Sequence, residues 1–278
     1  MWPSVLPVDP LSESLLSEVA SLTYSIATCR NHVDGKVLAY QRWVEDSVVT
    51  LSNHFLPEDV ERLVRTPSYW ETIDVPADFP QVQKIVNNEI DAIERRLKKL
   101  SEELAGAKNR WGPDCRWVVV DTNVYIEHDV PFYELDWHSA VDQRPDRPLR
   151  LVVPLMVLDE LDGLKVTAGR DKQRGGQKGW RIRDTLRRFE VLLECERSDV
   201  LGRNGGQVTI EVLPDPLLHH RLNVNDAEIV ARSVALQRLV GGQVFLVSND
   251  TNMLIRARQA GVRPVRLVPL VREPMPTE

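Results

Sequence analysis

From residue 115 onward the chain alternates short β-branched runs with helical patterns, and few folds accommodate that alternation. WVVV (117–120) and LRLVV (149–153) read as strands, and PLMVLDELDGLK (154–165) as a helix behind the second. The helix KGWRIRDTLRRFEVLLE (178–194) precedes the strand QVTIEVL (207–213) and the helix NDAEIVARSVALQRL (225–239). The strand QVFLVS (243–248), the helix DTNMLIRARQAG (250–261) and the strand PVRLVP (264–269) complete the series. This pattern predicts a mostly parallel sheet with helices on both faces. Open sheets of that kind take their ligands outside the carboxyl ends of the strands.

The first 110 residues have a different grammar. Leu15, Leu16, Val19, Leu22 and Ile26 recur at helical spacing, as do Val37, Leu38, Trp43, Val44, Val48 and Leu51. Pro57 opens a short helix, PEDVERLVR, where proline is tolerated. A long amphipathic helix begins at PQVQKIVNNEI and carries Val82, Ile85, Val86, Ile90, Ile93, Leu97, Leu100 and Leu104. Gly106 and the Gly112-Pro113 pair are its expected end. The reading is a helical domain over 1–110 and an α/β domain over 111–278.

With 278 residues and 42% hydrophobic side chains, the chain can bury a core in each part. Its net charge of -6 argues against wholesale electrostatic binding of nucleic acid but leaves room for a local basic patch. Cys29, Cys115 and Cys195 form no paired spacing, which points to a reducing, cytoplasmic setting. The opening MWPSVLPVDPLSESLL lacks the features of a signal peptide, and no run of about 20 apolar residues is present to span a membrane.

Four carboxylates fall at the predicted strand ends. Asp121 closes the first strand, and Glu160 lies on the helix after the second. Asp226 starts the helix after QVTIEVL, and Asp250 follows QVFLVS directly. Such a gathering of like charge is costly unless a cation sits among them. Oxygen donors suit Mg²⁺ or Mn²⁺, and the absence of histidine or cysteine at the strand ends disfavours zinc. Each acid also has a plain structural reading. Asp226 and Asp250 can cap helices, with Asn225 and Glu228 at capping-box spacing. Glu160 can be a solvated helix position, and Asp121 can cap the turn ahead of Thr122. Caps account for single sites better than for four sites on one edge.

In order, VVVDTNV, PLMVLDELDGLK, NDAEIVARS and VFLVSNDTNML resemble the PIN domain family of metal-dependent ribonucleases, over Arg116 to Val268. The resemblance implies an α/β/α sandwich around a central, mostly parallel sheet, preceded here by the all-helical segment. It implies metal ligands, and a catalytic role, at Asp121, Glu160, Asp226 and Asp250. Asn123 and Ser248 stand at the family's supporting polar positions, and Asp162 is an extra carboxylate that could assist them. One or two Mg²⁺ or Mn²⁺ ions would generate hydroxide from water and clamp the scissile phosphate. RNA is the implied partner, with single strands the expected form and 5′-phosphate and 3′-hydroxyl ends the expected products.

Two tracts exceed the usual family length. EHDVPFYELDWHSAVDQRPDRP (127–148) carries aromatic residues that read either as base-stacking groups or, the preferred reading, as anchors of a loop to the core. GLKVTAGRDKQRGGQKGWRIRDTLRR (163–188) is basic and glycine-rich. Lys165, Arg170, Lys172, Arg174, Lys178 and Arg181 are its candidate phosphate contacts, with Trp180 a candidate for stacking. The plain alternative is a solvated loop and helix face. His219-His220 reads as surface, without a metal. Arg95-Arg96 and Lys98-Lys99 read as a solvated helix face, and the helical half could hold a protein inhibitor or a second copy. A nuclease for DNA or for structured junctions, and a non-catalytic RNA- or protein-binding module, are the alternatives to the ribonuclease.

Overall fold

A computed structural model of the chain describes residues 3–32, 35–73, 75–77, 79–112, 114–141, 147–170, 176–193, 208–216 and 219–267, with the backbone alone at 167–170, 176–177 and 193. It divides into two compact units, Met1–Gly112 with Arg238–Gly241, and Pro113–Gln237 with Gly242–Glu278.

The described part of the first unit is helical. It comprises α1 (Glu13–Thr28), α2 (Lys36–Ser52), α3 (Pro57–Leu63), α4 (Pro67–Glu71) and α5 (Pro80–Arg110). Ser12 caps α1 by accepting from the Leu15 N–H at 3.1 Å, and proline occupies the first turn of α3, α4 and α5. The apolar stripe of α5 is buried from Val82 through Val86, Ile90, Ile93, Leu97 and Leu104 against Leu15, Val19 and Ile26 of α1 and the inner face of α2. Gly106 does not end α5. The helix runs through it to Arg110, because a single interior glycine costs only about 1 kcal/mol and the buried neighbours Leu104 and Ala107 hold that turn. The basic runs are partly engaged. Arg96 donates to the Leu63 carbonyl at 3.1 Å, and Lys99 lies 3.7 Å from Glu103.

The second unit contains a five-stranded, all-parallel sheet flanked by helices. In chain order its elements are β1 (Arg116–Val120), α6 (Thr122–Glu127), α7 (Trp137–Val141), β2 (Leu149–Pro154), α8 (Leu155–Arg170), α9 (Gly176–Leu193), β3 (Val208–Leu213), α10 (Asn225–Val240), β4 (Val244–Val247), α11 (Thr251–Gln259) and β5 (Arg263–Val265). Val118 to Val120, Val152, Val153 and Leu246 have no exposed surface, as expected of strands covered on both faces. The last strand ends at Val265 rather than 269. Leu267 follows it, and 268 and 269 lie outside the described residues.

Strand order is β3-β2-β1-β4-β5. The chain therefore moves one way from β1 to β3, crosses back, and moves the other way through β4 and β5. Right-handed crossovers then put α8 and α9 on one face and α10 and α11 on the other. The reversal falls between β1 and β4, which pair with Trp117 opposite Val244 and Val120 opposite Val247. The carboxyl ends of these two strands bound the crevice where such sheets bind ligands. The turn from α11 to β5 is set by Gly261, whose φ of 77° is open to glycine. Its N–H reaches the Arg258 carbonyl at 3.1 Å and the Val262 N–H the Ala257 carbonyl at 2.9 Å, a Schellman closure.

Candidate active site

Asp121 is the first residue past β1. Its N–H donates to the Val247 carbonyl at 3.0 Å, so the ends of β1 and β4 are tied at the reversal point. The side chain is only 4% exposed. Ser248, fully buried at the end of β4, donates from Oγ to Asp121 Oδ2 at 2.7 Å. Burial pushes the Asp121 carboxyl up to about 6; the Ser248 hydroxyl opposes the rise, and the charges of Asp226 and Glu160 add to it. Two of the other three expected acids thus act on Asp121.

Asp250 joins through Ser248, whose Oγ accepts from the Asp250 N–H at 3.0 Å. Its Oδ1 caps α11, accepting from the N–H groups of Asn252 at 2.6 Å and Met253 at 3.3 Å; Oδ2 takes no part in the cap. Asp250 is therefore a helix cap and a site neighbour together. Glu160 is half-buried on α8 and accepts from Thr122 Oγ1 at 2.6 Å. Thr122 is a polar support that the sequence reading passed over. Its only local signal is its place directly after the strand-ending aspartate. Asp226 is the second residue of α10 and half-buried.

The other expected site residues are more dispersed. Asn123 is exposed on α6. Asp162 is exposed and lies 4.0 Å from Lys165. Lys178 is exposed and pairs with Glu127 at 2.8 Å. Arg181 was expected as a phosphate contact. It is 8% exposed and turned inward, donating to the Asp129 carbonyl at 2.9 Å. Lys172 and Arg174 lie outside the described residues, as does the side chain of Arg170. Phe132 and Trp137 of the first long tract are buried, and Tyr133 is half-buried. Phe132 sits 5.3 Å from Tyr125 and 5.0 Å from Phe189, and Trp137 Nε1 donates to the Phe132 carbonyl at 2.7 Å.

Does this donor set suit a divalent cation? The observation that bears on it is Asp121, a buried carboxylate whose charge is opposed by two neighbouring acids. Oxygen donors with excess negative charge fit a hard ion such as Mg²⁺ or Mn²⁺. The four acids nonetheless stand in a wider arrangement than a closed cage. Among the described residues, the group of three or more His, Cys, Asp or Glu with donor atoms within 4.8 Å of one another is Asp215, His219 and Glu228. His219 is thus part of a packed polar cluster, where the sequence suggested a plain surface residue. Asp215 already lies 2.7 Å from Arg221 and 3.9 Å from Arg232, so guanidinium groups supply the positive charge there.

No match is found among the curated proteins. A family model for the PIN domain matches residues 118–267, from inside β1 to just past β5 and more than half of the chain.

Proposed function

The chain belongs to the PIN domain family, and on that premise we propose that it is a metal-dependent endoribonuclease acting on single-stranded RNA. The observation that carries the reading is the burial of Asp121 at the reversal point of the sheet, with Glu160 and Asp226 near enough for their charges to raise its carboxyl. In this reading Asp121, Asp226 and Asp250 hold one or two Mg²⁺ or Mn²⁺ ions, and Glu160 ligates or orients the attacking water. The chemistry such an ion supplies is polarisation of a phosphoryl oxygen and a lower pKa for water.

The chain's own groups have assignable tasks. Ser248 donates to Asp121 and accepts from the Asp250 N–H, which orients both aspartates. Thr122 donates to Glu160 and leaves its Oε1 outside that bond. Hydrogen-bond donors behind ligating carboxylates fix their direction and tune their basicity. Exposed Lys165 and Lys178 are proposed contacts to the RNA backbone; most such contacts go to phosphate, so little sequence readout is expected.

Cleavage of labelled RNA and of the matching DNA strand in Mn²⁺, each with and without excess chelator, tests the assignment. RNA cut only with free divalent ion, leaving 5′-phosphate ends, is the expected result. Preferential DNA cleavage would replace the substrate, and RNA binding without cleavage in any divalent ion would replace the enzyme by a binding module. Ser248→Ala is expected to lower the Mn²⁺-dependent rate about 10–100-fold, the usual effect of removing a group behind a metal ligand.

A further inference from the structure

Two acids of the candidate site, Glu160 and Asp226, stand on different helices, and their charges oppose that of Asp121. We propose that the polar cluster beside them is a spacer that fixes the separation of Glu160 from Asp226, with Arg221 as its positioning residue. The proposal rests on the nuclease reading for its purpose but on separate contacts for its geometry.

Glu228 has no exposed surface, and both of its oxygens are committed. Oε1 meets His219 Nε2 at 2.6 Å, and Oε2 accepts from the Leu222 N–H at 3.0 Å. A buried carboxylate so used clamps the segment entering α10 onto that helix's first turns, two residues after Asp226. Arg221, in the clamped segment, donates from Nε to Asp215 at 2.7 Å and from Nη1 to Asp159 at 2.6 Å. Asp159 is on α8 and adjacent in sequence to Glu160. One planar guanidinium therefore ties the residue beside Glu160 to the segment that leads to Asp226, a fork that lysine cannot reproduce. Arg232, buried and bonded to the Pro214 carbonyl at 2.6 Å, backs Asp215 from the inside.

The donor atoms of Asp215, His219 and Glu228 lie close enough to share an ion, but Arg221 and Arg232 already place two guanidinium groups against Asp215.

The test compares wild type, Arg221→Met and Arg221→Lys, first without metal and then with Mn²⁺. Hydrogen exchange in the metal-free proteins is expected to speed up at the amides of 221–228 in Arg221→Met; exchange unchanged there overturns the spacer whatever the site does. Mn²⁺ affinity, read by calorimetry, is expected to fall about 10-fold or more in both variants. The unfolding temperature should move little, since exposed ion pairs add little to folding. Faster exchange with unchanged Mn²⁺ affinity would reduce the contact to loop packing and overturn the proposal. Wild type that binds no Mn²⁺ would remove the metal reading of the site and the spacer's purpose with it. Mn²⁺ binding that survives Asp226→Asn and is lost in His219→Ala would put the ion in the cluster itself, and would also overturn it.

Discussion

Asp121→Asn is expected to abolish Mn²⁺-dependent cleavage while leaving a folded and, without metal, more stable protein. The two effects have one cause. Asp121 is buried and within reach of like charges, so its ionised form is disfavoured unless a cation is present. Asparagine keeps an oxygen to accept from Ser248 and removes the charge. The rate should fall by about 10²–10³-fold at least, the scale of losing one preorganised electrostatic group. A carboxyl raised from 3.8 to about 6 corresponds to a penalty of order 1–3 kcal/mol on the metal-free fold at neutral pH. Melting curves in chelator at pH 7.5 should therefore put the variant above wild type. A variant that melts higher and still cleaves within tenfold of wild type would remove Asp121 from the chemistry.

The same carboxyl governs the second large effect, on pH. Its folded pKa lies above its unfolded one, so between about 4 and 6 the folded state holds more protons than the unfolded state. Stability then falls as pH rises through that window, because the proton that relieved the buried charge is lost. The contribution is absent as a penalty below about 4 and fully present above about 6. Cation binding runs the opposite way. A ligating carboxylate must be ionised, so Mn²⁺ affinity should weaken about tenfold per pH unit below about 6, with proton release on binding. Melts from pH 4.5 to 7.5 should show wild type losing stability toward neutral pH in chelator and regaining it with Mn²⁺. Asp121→Asn should lack both trends. Parallel curves for the two proteins would show that some other group sets the pH dependence.

The strands were legible because parallel strands covered on both faces read as apolar runs; 117–120, 149–153 and 244–247 are of that kind. The four acids stood out because Asp121 and Asp250 directly follow such runs, Asp226 opens a helix and Glu160 lies on the helix after β2. Strand order was not, since it depends on which runs pair across long separations. Nor was α6, whose six residues are too few for a helical period to register; its presence puts Asp121 at the start of a helix as well as at the end of a strand. Arg181 looked like its basic neighbours in sequence, and only the fold turns it toward the Asp129 carbonyl. Glu228 read as half of a capping box with Asn225. In the fold it reaches past Asn225 to Leu222 and His219, a choice made by the path of the segment before α10. Among the described residues no helix is long and apolar enough to cross a membrane.

The central claim is that side chains from separate parts of the chain gather around divalent metal, and Asp226 tests it best because it reaches Asp121 only through the fold. Calorimetric titration of Mn²⁺ into wild type and into Asp226→Asn, at pH 7.5 and without nucleic acid, should give saturable binding by wild type and its loss in the variant. Equal binding by both, or none by wild type, would contradict the account.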